Sequence, residues 1–329
     1  MRRLVSSAAA ACAAALVLAA CASGSSAQNG STPTAQEGEG SGALTPVSVG
    51  VIPIVDVAPI YLGVEQGFFE EEGLDVTLEL AQGGAAIVPA VMSGQYQFGF
   101  SNTTSLILAS EQGLGITILT AGAISTGEVG ADFGGVVAMP DSGIATAADL
   151  AGKTVAVNTL KNIGDTTVRA VVDQAGADPD SVTFVEMGFP DMPAAVAGGQ
   201  VDAAWIVEPH LTRAIQAGAQ VVSWNFAESD PDLLVGVYFT SQQRVADDPE
   251  MVAAFTAAMR KSLDYGQSNP DAIRAVLDTY TEIDPAVKEA MSLPHWAPDA
   301  EAGAIQRLAD LGARYGMFDS PPDTSKLLP

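Results

Sequence analysis

PAVMSGQYQFGF, residues 89–100, aligns without a gap on AAVAGGQVDAAW, residues 194–205. Each copy reads as the end of a helix, then a small residue, glycine and glutamine, then a short strand. The glycine suits a helix end because it takes the left-handed conformation without a Cβ penalty. Past the strand the copies diverge, to Ser101-Asn102-Thr103-Thr104 in one and Ile206-Val207-Glu208-Pro209 in the other. Two readings are open at this point. Either two βαβ units are similar by chance, or the chain has two related lobes, each with its own sheet, whose equivalent loops face each other.

Outward from the first copy, VSVGVI (47–52) and LDVTLEL (74–80) read as strands. Between them a helix from Pro59 to Gln66 is closed by Gly67. AAIVPAVMS (85–93) is a helix, YQFGF (96–100) a strand, TSLILASEQ (104–112) a helix, and ITILTAGA (116–123) and GGVVAM (134–139) strands. Around the second copy, TVAVN (154–158), TFVEM (183–187), VDAAWIV (201–207), QVVSW (220–224) and LVGVYFTS (234–241) read as strands, and DTTVRAVVDQAG (165–176) as a helix. TAADLAGK is a capped turn, with Thr146 as N-cap and Asp149 at the third helical position. The remainder reads as helices at about 249–265, 270–281, 285–292 and 298–315. Met251, Val252, Phe255, Met259 and Leu263 recur at the spacing of a core face. Strands alternating with helices predict an α/β fold with largely parallel strands.

The N-terminal segment is different. A basic MRR start, the apolar run AAAACAAALVLAA and the tetrapeptide LAAC (18–21) read as a secretory signal over residues 1–20. The run is too short to span a bilayer. LAAC resembles a bacterial lipobox, which implies lipid on Cys21 and a chain held to the membrane by it. A plain signal peptide with a chance cysteine, or an uncleaved anchor, is the alternative. Residues 21–45 carry mostly Ser, Gly, Thr, Gln and Glu and predict a flexible tether. No later segment is apolar for long enough to predict a transmembrane helix.

The 329 residues include 14 basic and 39 acidic ones, a net charge of -25. Such a surface repels nucleic acid, so none is expected as a partner. The two cysteines, Cys12 and Cys21, both precede the globule, which rules out a thiol nucleophile or thiolate metal site within it. His210 and His295 share no metal-like spacing and read as structural or surface residues.

GVIPIVDVAPIYLGVEQGFFEEEGLDV, GGAAIVPAVMSGQYQFGFSNTTSLILA, SGIATAADLAGKTVAVN and PAAVAGGQVDAAWIVEP occur in this order along residues 50–209. Together they resemble the extracytoplasmic substrate-binding proteins of ABC importers for sulfonates, taurine, nitrate and thiamine-pyrimidine precursors. The resemblance implies a two-lobed type II periplasmic-binding-protein fold, each lobe a mostly parallel sheet flanked by helices, with two crossover strands as hinge. Lobe 1 would take residues 46–136 and 236–329, lobe 2 residues 137–235. It also implies a monomer that passes a small molecule to a permease and ATPase, with no cofactor, no metal and no catalysis. Enzymes share this fold class, but those that resemble the chain bring lysine, histidine and a cysteine-rich segment.

In open α/β sheets ligands gather beyond the carboxyl ends of strands. Four loops qualify. Asp56 lies three residues before Pro59, as a cap for the helix or as an acceptor for a donor or cation. Ser101, Asn102, Thr103 and Thr104 could hold an anion or a carbonyl, apart from those that cap the next helix. Thr159, Asn162, Asp165 and Thr166 offer polar contacts in the matching loop, with Asp165 or Thr166 available as the cap. Lys161 and Asp165 stand where sulfonate-binding relatives are rich in glycine and hydroxyls. Trp205 is a core aromatic or a stacking surface for a flat ligand. Glu208 is a cap or a second carboxylate on the ligand. Three carboxylates against Lys161 and Arg213 favour a small polar amine or heterocycle over a bare anion. A taurine-like alkanesulfonate or nitrate-type anion is the alternative.

Overall fold

The computed structural model describes residues 43–329. The expected signal peptide, Cys21 and the tether up to residue 42 lie outside the described residues. From there the chain forms β1 (Thr45–Val51), α1 (Ala58–Glu65), α2 (Phe68–Glu71), β2 (Leu74–Leu80), α3 (Gly84–Met92), β3 (Phe98–Asn102), α4 (Thr103–Glu111) and β4 (Ile116–Ala121). A short β5 (Ala123–Ile124) leads towards a second group: β6 (Gly134–Ala138), β7 (Thr154–Val157), α5 (Ile163–Gln174), β8 (Thr183–Glu186), α6 (Met192–Ala197), β9 (Ala203–Val207), α7 (His210–Gln216), β10 (Gln220–Ser223) and α8 (Asn225–Ser229). Then come β11 (Gly236–Ser241), α9 (Gln242–Asp247), α10 (Pro249–Ser268), α11 (Pro270–Val276), α12 (Pro285–Ala290), β12 (His295–Trp296) and α13 (Ala302–Arg314).

Two five-stranded sheets result, ordered β2-β1-β3-β11-β4 and β8-β7-β9-β6-β10, while β5 and β12 pair separately. Position by position the two orders correspond. β1 runs parallel to β2 and β3, and β7 runs parallel to β8 and β9. One strand in each sheet is reversed: β11 opposes β3 and β4, and β6 opposes β9 and β10. These are the strands the chain enters after each passage between sheets. The second sheet begins at Gly134, so the passage occupies the residues before it, ahead of the 136/137 boundary expected from sequence.

The repeat seen in the sequence is a repeat in space. β3 and β9 cover aligned residues, and α3 and α6 end at the aligned Met92 and Ala197. Both helices close through the same pair of bonds. Ser93 N–H donates to Pro89 O and Gly198 N–H to Ala194 O, each at 2.9 Å. Gly94 and Gly199 then take φ of 78° and 66°, the left-handed turn that glycine permits. Asn102 lies opposite Gly236 and its aligned partner Val207 opposite Gly134. Both glycines carry an aromatic ring at van der Waals distance from the backbone. A Cβ on Gly236 would lie 2.4 Å from Phe100, and one on Gly134 2.5 Å from Phe226.

The central strands are buried on both faces, which is why they read as continuous apolar runs. Helix α10 covers the first sheet with Phe255, Met259 and Leu263, and Phe255 stacks on Phe98 with ring centroids 3.8 Å apart. Met251, expected on this face, is only half-buried. Phe68 and Phe69 enter the core, while Glu70, Glu71 and Glu72 are exposed. The two sheets pack into one compact body. Among the described residues no helix is long and apolar enough to cross a membrane.

Several local expectations change. Helix α1 starts at Ala58 behind a 3-10 turn over Val55–Val57, so Pro59 is its second residue rather than its first. Helix α5 starts at Ile163, and its cap is Asn162, not Asp165 or Thr166. Asn162 Oδ1 takes the Ile163 N–H at 2.8 Å and so ends the turn two residues early. The capping box at Thr146 and Asp149 forms as expected.

Candidate functional site

The carboxyl ends of β1, β3, β7 and β9 meet where the two sheets face each other. Among the hydrogen bonds between the two halves, two join the segments that follow these four strands. Val55 N–H donates to Glu208 O at 3.2 Å, and Asn162 Nδ2 donates to Ser105 Oγ at 2.9 Å.

Asp56 sits in the 3-10 turn after β1 and is 2% exposed. The cap of α1 is Val57, with no side-chain bond, so Asp56 does not cap that helix. Its Oδ1 has no hydrogen-bond partner, although Trp296 Nε1 donates to its backbone carbonyl at 3.0 Å. Burial pushes the carboxyl up to about 7, and the charge of the buried Asp132 adds to the rise. Tyr61 and Tyr280 stack nearby with centroids 3.8 Å apart, and Tyr280 donates to Ile54 O at 3.0 Å. The Tyr238 hydroxyl is fully buried and also unpartnered. Tyr61, Tyr238, Tyr280 and Trp296 escaped the sequence reading because strand and helix periodicity assigns them to the core.

In the loop after β3, Ser101 donates to Asn102 O at 3.2 Å and Thr103 to Leu234 O at 2.7 Å. Asn102 caps α4 by accepting Ser105 N–H at 2.9 Å. The Thr104 hydroxyl, in the first turn of that helix, is buried and free. After β7, Thr159 is half-buried and Lys161 takes a left-handed φ of 50°. Lys161 N–H donates to one Asp165 oxygen at 3.0 Å, and the other is buried without a partner. Burial raises the Asp165 carboxyl to about 6. Thr166 donates to Asn162 O at 3.0 Å.

Trp205 is 2% exposed and packs edge-on against Phe189 and Phe226, so its ring belongs to the core of the second sheet. The indole lies against the backbone of Gly164, where a Cβ would come within 2.5 Å of it. Its Nε1 is buried and unpartnered.

Glu208 does more than cap. Its carboxylate accepts Thr212 Oγ1 at 2.7 Å, Thr212 N–H at 3.0 Å and Ser292 N–H at 3.3 Å. The carbonyl on the other side of that last peptide, Met291 O, accepts Arg274 Nη2 at 3.0 Å. One peptide group therefore lies between a carboxylate and a guanidinium and is polarised by both. Burial still carries the Glu208 carboxyl up to about 7 against the pull of these bonds and of Arg274. Sequence could not pair residues 208, 274 and 292.

Two cavities flank this meeting point. One, of about 340 Å³, is lined by residues 52–54, 80–82, 188–191 and His210. The other, of about 230 Å³, lies among α3, α4 and residues 159–162, so it takes in the expected Thr159 and Asn162. His210, read from sequence as structural, is 7% exposed with an unpartnered Nδ1. Burial and the nearby Arg213 lower its imidazole to about 4. Among the described residues no group of three or more His, Cys, Asp or Glu could hold a metal ion.

Two like-wired sheets with reversed strands after each passage, and polar loops converging between them, define the periplasmic-binding-protein fold class. The chain belongs to the NMT1/THI5-like family, which matches residues 54–273, more than half of its length. A Brucella abortus protein named only as a binding protein is 24% identical over 273 residues, 79% of this chain and 82% of the relative. The formylaminopyrimidine-binding protein of Halalkalibacterium halodurans is 24% identical over 225 residues, 67% of this chain and 65% of the relative. One relative, from Aspergillus parasiticus, carries an enzyme's name, 4-amino-5-hydroxymethyl-2-methylpyrimidine phosphate synthase. Among solved structures, the periplasmic aliphatic sulphonate binding protein of Escherichia coli superposes with a TM-score of 0.71 at 16% identity, covering 86% of this chain and 97% of that one.

Proposed function

We propose that the protein is the extracytoplasmic solute-binding component of an ABC importer, held to the membrane by lipid on Cys21. It captures a small polar organic solute between two lobes and delivers it to a permease and ATPase. The lobes are residues 46–133 with 236–329, and residues 134–235, which keeps β6 whole in the second sheet. The observation that carries this reading is the pair of equivalent sheets whose strand ends converge on one cleft, bridged by Val55–Glu208 and Asn162–Ser105. Ligand contacts come from among Asp56, Ser101, Asn102, Thr103, Thr159, Asn162, Asp165, Thr166, Trp205 and Glu208. The solute is an amine or nitrogen heterocycle, because the free oxygen of buried Asp56 asks for a donor. A thiamine-pyrimidine-like molecule meets that demand. In this reading the protein is a monomeric binding protein that works by closure and performs no chemistry on the solute.

A second reading, an alkanesulfonate, is favoured by the free Thr104 hydroxyl at the start of the nine-residue α4. A thermal-shift screen of the purified protein separates the two. Aminopyrimidines are expected to raise the melting temperature and ethanesulfonate to leave it unchanged. A shift with ethanesulfonate alone would overturn the amine assignment. Cys21→Ser is expected to release the protein from the membrane fraction, and its retention there would overturn the lipid anchor.

A further inference from the structure

We infer that α13 is an ionic strap that holds the two halves closed through two of its arginines. The inference rests on the reading of two lobes that open and close, and on no particular solute. Arg307 Nε donates to Asp230 Oδ2 at 2.7 Å, and Arg314 Nη2 donates to Asp173 Oδ2 at 2.7 Å. The Tyr315 hydroxyl donates to the same Asp173 oxygen at 2.9 Å. Both acceptors belong to the second half. Asp173 lies in the last turn of α5, and Asp230 follows α8. Residues 307 and 314 are two helical turns apart, which sets both arginines on one face of α13.

The helix is fastened to the two halves by different forces. On the first half it is packed. It lies against α4, with Ile305 and Ala309 fully buried. Gly312 is so close to Phe318 that a Cβ would come within 2.5 Å of the ring. The segment after α13 returns to β4, where Ile118 N–H donates to Leu327 O at 2.7 Å, and Thr324 Oγ1 donates to Gln306 Oε1 at 2.8 Å. Towards the second half the helix leaves a gap. A cavity of about 270 Å³ lies between Pro231 and Leu233 on one side and Leu308 and Leu311 on the other. The Arg314 and Asp173 side chains are 66% and 34% exposed, within reach of water and salt. A packed face resists separation, whereas exposed ion pairs part at small cost. The strap therefore parts at its arginines and stays on the first half. Its pairs form in the same arrangement as the Val55–Glu208 and Asn162–Ser105 bonds, so by linkage each set favours the other. Both halves carry more acidic than basic residues and repel each other. The two pairs oppose that repulsion.

Distances between nitroxide labels in the solute-free, full-length protein test this. The labels are placed by Gln95→Cys and Gln200→Cys, exposed and aligned positions, one in each half. Cys12→Ser and Cys21→Ser keep the labelling specific. Double electron–electron resonance of this parent is expected to show two distances, one closed and one open. Arg307→Met with Arg314→Met is expected to lower the closed-to-open ratio about fivefold, the combined worth of two exposed pairs. Arg314→Asp is expected to lower the ratio as well, and adding Asp173→Arg to restore it by exchanging the two charges. Raising salt from about 0.05 M to about 0.5 M screens the pairs and is expected to open the parent. In the variant without both arginines only the repulsion between acidic halves is left to screen, so the same salt is expected to close it. Two distances whose ratio none of the arginine variants changes would overturn the strap and leave opening intact. A parent that closes as salt rises would overturn it too. One distance in every variant at both salt concentrations would overturn the closure on which the inference rests.

Discussion

The corner where β3 turns into α4 and the corner where β9 turns into α7 share a skeleton and differ in chemistry. Thr103 N–H donates to Val235 O at 3.0 Å, and the aligned Glu208 N–H donates to Phe133 O at 2.9 Å. Each acceptor immediately precedes the glycine that opens a reversed strand. In the first corner the Thr103 side chain returns to its neighbouring strand entry at Leu234. In the second, the Glu208 carboxylate reaches the Met291–Ser292 peptide, whose carbonyl is held by Arg274. Backbone bonds keep the corner in place. The side chain that follows the strand is thereby left to be used differently in each half.

The largest effect tests whether the skeletons are equivalent. Gly134 and Gly236 each face a ring packed against the backbone, and neither Phe226 nor Phe100 is the flexible end of a side chain. Gly134→Ala and Gly236→Ala are each expected to cost about 3 kcal/mol, the upper end for overpacking a well-filled core. Urea titrations with the parent measure it. A large loss in one variant and none in the other would break the structural equivalence of the two sheets.

The second effect tests the difference between the corners. Glu208→Ala removes the acceptor for three hydrogen bonds and is expected to destabilise by about 2 kcal/mol, as expected for bonds to a charged group. Glu208→Gln, which keeps one carbonyl oxygen, recovers part of this. Arg274→Met frees Met291 O and Lys288 O from the guanidinium. Because both side chains act on the same peptide, the double variant is expected to lose less than the sum of the single losses. Strict additivity in a denaturation cycle would show that the peptide does not couple them.

A third test uses pH. Asp56 and Glu208 rise to about 7 and Asp165 to about 6 on folding, each because burial disfavours the ionised form. Between about pH 4 and 7 the folded chain therefore holds protons that the unfolded chain has released. The stabilising contribution is present below the unfolded values and is lost as pH rises through the folded ones. The solute-free protein should melt on the order of 5 °C lower at pH 7.5 than at pH 5. Asp56→Asn should flatten that slope. A melting temperature that rises over the same interval would contradict the burial of these groups as ionisable carboxyls.

Much of the fold was legible because it rests on local patterns. The strand runs, the glycines after helices and the aligned segments 89–100 and 194–205 all place elements close to where they form. Helix α5 began early because Asn162, placed among the contacts, competes for the cap with Asp165 and Thr166. The candidate site was legible only as a set of loops. Asp56 came out of the sequence as cap or ligand contact, and only the turn over Val55–Val57 removes the cap. Glu208 finds Ser292 across 84 residues. His210 shows no spacing signal at all, since its cavity exists only when four distant segments pack together. Long-range packing, not residue type, decides which polar atoms stay free.

The smallest effect concerns one of the bonds that join the two halves away from Glu208, between Asn162 and Ser105. Asn162 has two tasks. Its Oδ1 accepts the Ile163 N–H within its own half, and its Nδ2 donates to Ser105 Oγ in the other. Ser105→Ala removes only the second task and is expected to cost about 0.5–1 kcal/mol, since Nδ2 can turn to water at the neighbouring cavity. Asn162→Ala removes both tasks and is expected to cost about 1–2 kcal/mol, the range for losing a cap. The comparison between the variants isolates the cross-cleft bond from the cap. In solute titrations Ser105→Ala should weaken affinity by no more than about threefold, because this bond adds to closure without touching the solute. A tenfold loss in Ser105→Ala with unchanged stability would move Ser105 into the ligand contacts. The cavity at residues 159–162 would then be the occupied one.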